Sequence, residues 1–166
     1  MYVNLTYMIK IFCSFLLSLA LIHPAHAVPA RIVSVIDGDT IDVELAAGGD
    51  RIRIRLFGID APERKQPGGE AARVFMFAFL FQTVAIEPQG KRPDRYGRTV
   101  TTVYLPGGES LQALLLEAGL AWVWPRYCRD CEEWQNLQDA ARSQGRGLWA
   151  SPGAMPPWEW RRKRVR

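Results

Sequence analysis

Asp37, Asp39, Asp60 and Glu63 stand at the ends of two alternating apolar runs, and Arg55 lies between the two pairs of acids. Short carboxylates are the oxygen donors that hard divalent cations prefer. Asp39 and Asp60, with a backbone carbonyl and several waters, would suffice for a substrate-bridged Ca²⁺ or Mg²⁺. Glu63 follows Ala61-Pro62, and the proline makes its approach rigid; a glutamate beside a metal could orient or deprotonate an attacking water. Arg55 could grip a phosphate in fork geometry if its face lines a cleft. Farther along, D-R-Y-G-R runs from Asp94 to Arg98. Arg98 could neutralise charge building on a phosphoryl group, and the Tyr96 ring could stack on a base or pack a sugar.

Each of these residues also has a plainer reading. D-G-D-T, taken alone, is better read as a turn in which the Asp side chains cap backbone groups. An EF-hand is excluded by spacing, because Ile41 and Asp42 stand where Asp or Asn and then Gly belong. Asp37 is a turn residue or, like Thr40, a neighbour that orients the ligands. Glu63 could be a surface acid. Arg51 and Arg53 share a face with Arg55, so all three could be ordinary solvated charges. The sequence leaves both readings of that face open.

The elements that must position these groups are legible from periodicity. Residues 31–36, 40–45 and 51–57 read as three successive strands, the last two joined by a Gly48-Gly49-Asp50 turn. A Pro- and Gly-rich loop, 62–69, follows. Residues 70–81 carry Phe75, Phe77, Phe79 and Phe81, but length and alanine content favour a helix. That helix is apolar nearly all round, so it is expected to be deeply buried or to meet a partner. Residues 84–87 and 98–105 are two further strands, and 110–118 and 132–144 are amphipathic helices closed by Gly119 and Gly145. Pro152, Pro156 and Pro157 are expected to end regular structure. Five strands with helices between and after them fit a small α+β barrel.

Length and composition set the bounds. The chain has 166 residues, enough for one domain with a single core. Residues 1–27 read as a signal peptide: Lys10 precedes an apolar run, 11–22, that is too short to span a bilayer, and Ala25-His26-Ala27 supplies a cleavage pattern. The protein is therefore expected to be exported, to a bacterial periplasm or the medium, with no membrane span after cleavage. A buried N-terminal helix or an uncleaved anchor is the other reading. Both histidines, His23 and His26, leave with that segment. Histidine-based triads and histidine-ligated zinc are then excluded, and acid–base work falls to carboxylates.

Charge is unevenly placed. The mature chain holds 20 basic against 17 acidic residues, and five of the basic ones lie in 161–166. The body, 28–160, is left slightly acidic. Residues 28–158 are read as the domain and 159–166 as a basic tail, either a polyanion tether or a disordered solubilising terminus. Cys128 and Cys131 form a C-x-x-C. Zinc would need two more soft ligands and a thioredoxin-like motif a βαβ setting, so in an exported chain a short disulfide is expected, with free thiols as the alternative. Trp122, Trp124, Trp134 and Trp149 are read as core rather than binding platforms.

Taken together, I-D-G-D-T, R-L-F-G-I-D-A-P-E, D-R-Y-G-R and G-L-A-W-V, in that order over residues 31–149, resemble the staphylococcal (micrococcal) nuclease family. The resemblance implies an OB-fold, five-stranded barrel with about three helices. It also implies a Ca²⁺-dependent phosphodiesterase acting on DNA and RNA, favouring single strands and leaving 3′-phosphates, with Mg²⁺ or Mn²⁺ as weaker alternatives. Asp39 and Asp60 match the family's metal carboxylates, with the Ala61 backbone carbonyl beside them and Asp37 as a neighbouring acid. Arg55, Glu63 and Arg98 match its catalytic trio, and Tyr96 and Tyr127 its tyrosines near the nucleotide. Ala61 replaces a threonine of the best-known member, and the loop 64–69 is shorter.

Two other readings compete. A catalytically silent, nucleic-acid-binding OB module would have lost the trio, which here is intact. A surface-binding domain acting through its basic tail leaves the ordered acids and arginines unexplained. A monomer is expected, with self-association through the Phe-rich helix as a further possibility.

Overall fold

The computed structural model describes residues 27–164. Residues 1–26, which hold all but the last residue of the proposed signal segment together with Cys13 and both histidines, and residues 165–166 lie outside the described residues. In chain order the elements are β1 (Val28–Val35), β2 (Thr40–Leu45), β3 (Arg51–Leu56), a two-residue β4 (Ile59–Asp60) and helix α1 (Gly69–Phe77). Then come β5 (Thr83–Pro88), β6 (Thr99–Tyr104), α2 (Leu111–Glu117), a two-residue β7 (Trp122–Val123) and α3 (Glu132–Ser143). A 3₁₀ turn (Gly147–Ala150) and helix α4 (Pro157–Arg164) complete the chain.

Five strands close a barrel in the order β1-β2-β3-β6-β5, and β5 returns to β1. All neighbours are antiparallel except β3 and β6, which run parallel with Arg55 opposite Val100. This is the α+β, OB-type barrel. Alternation decides what faces inward: Ile32, Ile41, Val43, Ile54, Leu56, Ile86 and Val103 are all buried. Leu111, Leu115 and Leu116 of α2 join the same core. β4 and β7 pair outside the barrel, Asp60 opposite Trp122.

Two buried glutamines fasten helices to strand backbone, and periodicity gives no hint of either. Gln112 Nε2 donates to the Thr101 carbonyl (3.0 Å) while its Oε1 accepts from Val103 N–H (3.3 Å). Gln138 Oε1 accepts from Val123 N–H at 2.8 Å, tying α3 to β7. A polar group with no access to water must find such partners.

Two expected boundaries shift. α1 ends at Phe77 rather than 81, and the chain turns through Phe81, whose φ of 66° reverses it into β5, with its N–H on the Ile32 carbonyl (2.8 Å). The helix is not deeply buried: Ala72 and Met76 are, but Val74, Phe77 and Phe81 are exposed. The second shift concerns the segment read as a basic tail. Pro157 does not end structure; it opens α4, as proline at a first helical position can, since its missing N–H has no intrahelical partner there. The described residues thus hold four helices rather than about three. Cys128 and Cys131 are joined in a disulfide, with Cα atoms 5.4 Å apart, and Cys131 caps α3.

Candidate active site

The site lies at one end of the barrel, where β2 begins and β3 ends. Asp37 to Thr40 form a tight turn, with Ile36 N–H on the Thr40 carbonyl (3.0 Å) and Asp39 N–H on Asp37 Oδ1 (3.1 Å). Gly38 is needed there by proximity: a Cβ would come within 2.7 Å of Ala72 Cβ and 2.8 Å of Ala61 Cβ. The turn reading of D-G-D-T is what the backbone shows, and it is compatible with the site reading. The turn is what presses Asp39 against the start of the next acidic segment. Ala61 N–H donates to Asp39 Oδ2 at 2.7 Å, so the residue after Asp60 is pinned to Asp39.

Arg55 lies between the two aspartates. Its Nη2 is 2.9 Å from Asp60 Oδ1 and 3.2 Å from Asp39 Oδ2, and its Nη1 donates to the Leu56 carbonyl at 2.9 Å. Along the arginine face the surroundings change from solvent to interior. The Arg51 and Arg53 side chains are 57% and 51% exposed and pair with Asp42, whereas the Arg55 side chain is 9% exposed. The face begins in solvent and ends inside the site. Hydrogen bonds and charge from Arg53 and Arg51 hold the Asp42 carboxyl below its usual range.

Arg98 arrives from the parallel partner strand. It precedes Thr99, which pairs with Ile54, and its side chain reaches Thr40, the residue opposite Arg55 in β2. Asp94 clamps it through Nε (2.9 Å) and Nη2 (2.8 Å), and its Nη1 reaches Thr40 Oγ1 at 3.5 Å. Thr40 in turn donates to Asp39 Oδ1 (3.2 Å), so the two halves of the constellation are linked. Burial would raise the Asp94 carboxyl, but hydrogen bonds from the Arg98 backbone and side chain and from Tyr96 N–H outweigh it and hold it low. Tyr96 is exposed beside this clamp, with the Arg98 guanidinium 5.2 Å from its ring. Tyr127 is also exposed, edge-on to Trp124 at 4.7 Å.

Glu63 sits in the loop after β4. A Cβ on Gly69 would collide with the Glu63 carbonyl, so that glycine lets the loop fold under α1. Gln66, buried, accepts from Glu63 N–H (3.2 Å) and donates to the Met155 carbonyl (2.6 Å), coupling this loop to the segment before α4. One residue of the site is missing from the sequence reading altogether. Arg161 of α4 places Nη2 2.7 Å from Asp60 Oδ2 and Nη1 2.7 Å from Glu63 Oε1. Burial disfavours its charge, but the hydrogen bonds to Asp60 and Glu63 more than offset that and raise its pKa above the ordinary arginine value. Trp124, read as core, is half-buried beside it and stacks on Trp158 of α4 (6.3 Å, 8° between planes). Pro-Pro followed by Trp-Glu-Trp was the available signal, a proline start with apolar residues to dock.

Burial pushes Asp60 up to about 6, reinforced by the charge of Asp39 and opposed by Arg161 and Arg55. Asp37 is likewise pushed up to about 6, by burial first and Asp39 second. Carboxylates this reluctant to ionise together want a concentrated positive charge. The donor set is all oxygen, which suits a hard cation. Among the described residues no three His, Cys, Asp or Glu side chains converge as a metal cluster. A cation here would take two carboxylates and complete its shell with backbone carbonyl, water and substrate oxygens.

Sequence comparison bears on this geometry. The profile of a family described as Staphylococcal nuclease homologue matches residues 53–151. That span includes Arg55, Asp60, Glu63 and Arg98, but Asp39 precedes it and Arg161 follows it. A protein named Uncharacterized endonuclease from Escherichia coli is 40% identical over 134 residues, covering 81% of this chain and 85% of its own. Micrococcal nuclease from Shigella flexneri is 37% identical over 141 residues, covering 80% and 79%. An Uncharacterized endonuclease from Haemophilus influenzae is 34% identical over 134 residues, covering 80% and 72%.

Proposed function

We propose, from the fact that the chain belongs to the staphylococcal nuclease homologue family, that it is a Ca²⁺-dependent phosphodiesterase cutting DNA and RNA, single strands in preference. Nuclease action, and hence a hydrolase with nucleic-acid substrates, follows from the family itself. The finer reading is supported by one observation above the rest: a single buried guanidinium, Arg55, touches both Asp39 and Asp60, and Arg161 ties Asp60 to Glu63. Asp39 and Asp60, with the Ala61 carbonyl, are the residues that would hold the cation, which when bound supplies Lewis-acid stabilisation of a phosphoryl oxygen. Mg²⁺ and Mn²⁺ are weaker alternatives.

In this reading Glu63 takes a proton from the attacking water, whose oxygen bonds to phosphorus as the P–O5′ bond breaks. The phosphate stays on the 3′ side, and the leaving oxygen takes a proton from solvent. Arg55 and Arg98 grip the non-bridging oxygens, where charge accumulates in the transition state. Asp94 keeps Arg98 aimed, and Asp37 and Thr40 steady Asp39. Tyr96 and Tyr127 offer exposed rings to a base or sugar.

The test is hydrolysis of single-stranded DNA by residues 28–166, with Ca²⁺ and with chelator, beside a Glu63→Ala control. Activity that needs Ca²⁺ and collapses in the control is expected. No hydrolysis with Ca²⁺, Mg²⁺ or Mn²⁺, with DNA binding retained, would favour the silent OB module. That second reading has its own support, since Arg161 engages both Asp60 and Glu63. Export, to the periplasm or the medium, is part of the proposal and rests on residues 1–27. The protein is taken as a monomer; light scattering at micromolar concentration that shows a larger species would point to the exposed Phe77 and Phe81 face.

A further inference from the structure

Arg161 occupies the oxygens that the proposed chemistry needs free. Asp60 Oδ1 lies 2.9 Å from Arg55 and 3.3 Å from Arg161 Nη1, and Oδ2 lies 2.7 Å from Arg161 Nη2. Arg161 Nη1 also lies 2.7 Å from Glu63 Oε1, on the carboxylate assigned to receive the water's proton. The Asp60 side chain is 1% exposed, so its charge leans on protein partners rather than on bulk water. A buried carboxylate with too little positive charge around it is costly, and the guanidinium supplies that charge.

The helix that brings this guanidinium is docked by contacts of its own. Trp158 stacks on Trp124, the Arg161 guanidinium lies 5.4 Å from the Trp124 ring, and Gln66 holds the Met155 carbonyl just ahead of the helix. Yet the Arg161 side chain is 39% exposed and sits on the last helix described. It can withdraw into solvent without unpairing any strand.

We propose that Arg161 is an internal cation that competes with the divalent ion for Asp60 while it pairs with Glu63, so that docking of α4 sets the metal affinity of the site. This rests on the reading of Asp39 and Asp60 as cation ligands. Arg161 and a divalent ion draw on the same Asp60 carboxylate and repel each other; Arg55, 9% exposed within β3, stays in place, so the half-exposed Arg161 is the cation that yields. While α4 is docked, Glu63 Oε1 is also engaged by Arg161, so only the other carboxylate oxygen is free of that contact. Arg161 is thus a positioning residue: it keeps the acidic seat in shape when metal is scarce and yields it when metal is abundant.

The experiment is Ca²⁺ titration by calorimetry of the chain as the cell produces it, beside Arg161→Gln, Arg161→Lys and Trp158→Ala, with thermal melts with and without Ca²⁺. Arg161→Gln is expected to tighten Ca²⁺ binding about tenfold, a change of about 1.4 kcal/mol. Arg161→Lys should fall between it and the parent, because a lysine keeps the charge but not the fork. Trp158→Ala should tighten binding in the same direction by loosening the dock while leaving every carboxylate in place. The metal-free melting midpoint should fall in Arg161→Gln, and the gap should close at saturating Ca²⁺; a merely structural arginine would lower both midpoints alike. Ca²⁺ binding of equal or weaker affinity in Arg161→Gln would overturn the competition alone. No Ca²⁺ binding by any form would overturn it together with the metal-seat reading.

Discussion

Asp60 is held by two arginines that reach it from different regions of the molecule, and they hold it differently. Arg55 lies five residues away in β3, with a side chain 9% exposed, paired across the barrel with Thr40 on one side and Val100 on the other. Arg161 lies 101 residues away on a terminal helix and is 39% exposed. Both are guanidinium forks on the same carboxylate at comparable distances. The first is fixed by the pairing of its strand, whereas the second can withdraw without unpairing any strand. A charge built into a strand serves as framework, and the same charge on a docked helix can be exchanged.

The largest effect that sharpens this contrast is at Glu63, which belongs to the exchangeable side. Glu63→Ala should cut hydrolysis by about 10²- to 10⁴-fold, the range a general base contributes. Its unfolding midpoint should barely move, since its ion pair with Arg161 is partly solvated. The next effect is on stability. Arg55→Ala leaves Asp39 and Asp60 without their shared partner and should cost about 3–5 kcal/mol in urea unfolding. Arg161→Ala, tested the same way without metal, should cost about 1 kcal/mol or less, given its exposure. Equal losses from the two would break the comparison.

The smallest effect concerns a third arginine, Arg98, which is clamped by Asp94 rather than shared. The Asp94 carboxyl is held below its usual range, so its contribution to stability is present above the unfolded value of about 4 and fades as pH falls through its folded value. Asp94→Asn should therefore lower the melting midpoint at neutral pH and narrow the gap to the parent below about pH 4. A gap that stays constant down to pH 2 would show that the clamp works through shape and not through charge.

How much of this could be read in advance varies with sequence distance. The five barrel strands were legible because period-2 alternation is a local consequence of having one face buried. α2 and α3 were legible from their apolar stripes and closing glycines. The Phe-rich segment was harder. Alternating phenylalanines and abundant alanines pull toward strand and helix, and the chain settles it by ending α1 at Phe77 and reversing at Phe81. The arginine face could not be divided by periodicity, because Arg51, Arg53 and Arg55 obey the same period. Only the closure of the barrel puts the last of them out of water.

By itself the sequence determined the barrel's strands, the acids at their ends and the arginines beside them. Those are properties of short windows, set by alternation, turn chemistry and the types of side chain present. The tertiary structure alone decided that Asp39 and Asp60 share one guanidinium, that Gln66 couples the Glu63 loop to the chain's end, and that Pro157 starts a helix. It alone brought Arg161 onto Asp60, across a separation of 101 residues. The physical reason is that a proline and a run of basic residues carry the same local signal in a solvated tail and in a docked helix. The difference lies in partners, here Trp124 and two carboxylates, that only folding brings within reach.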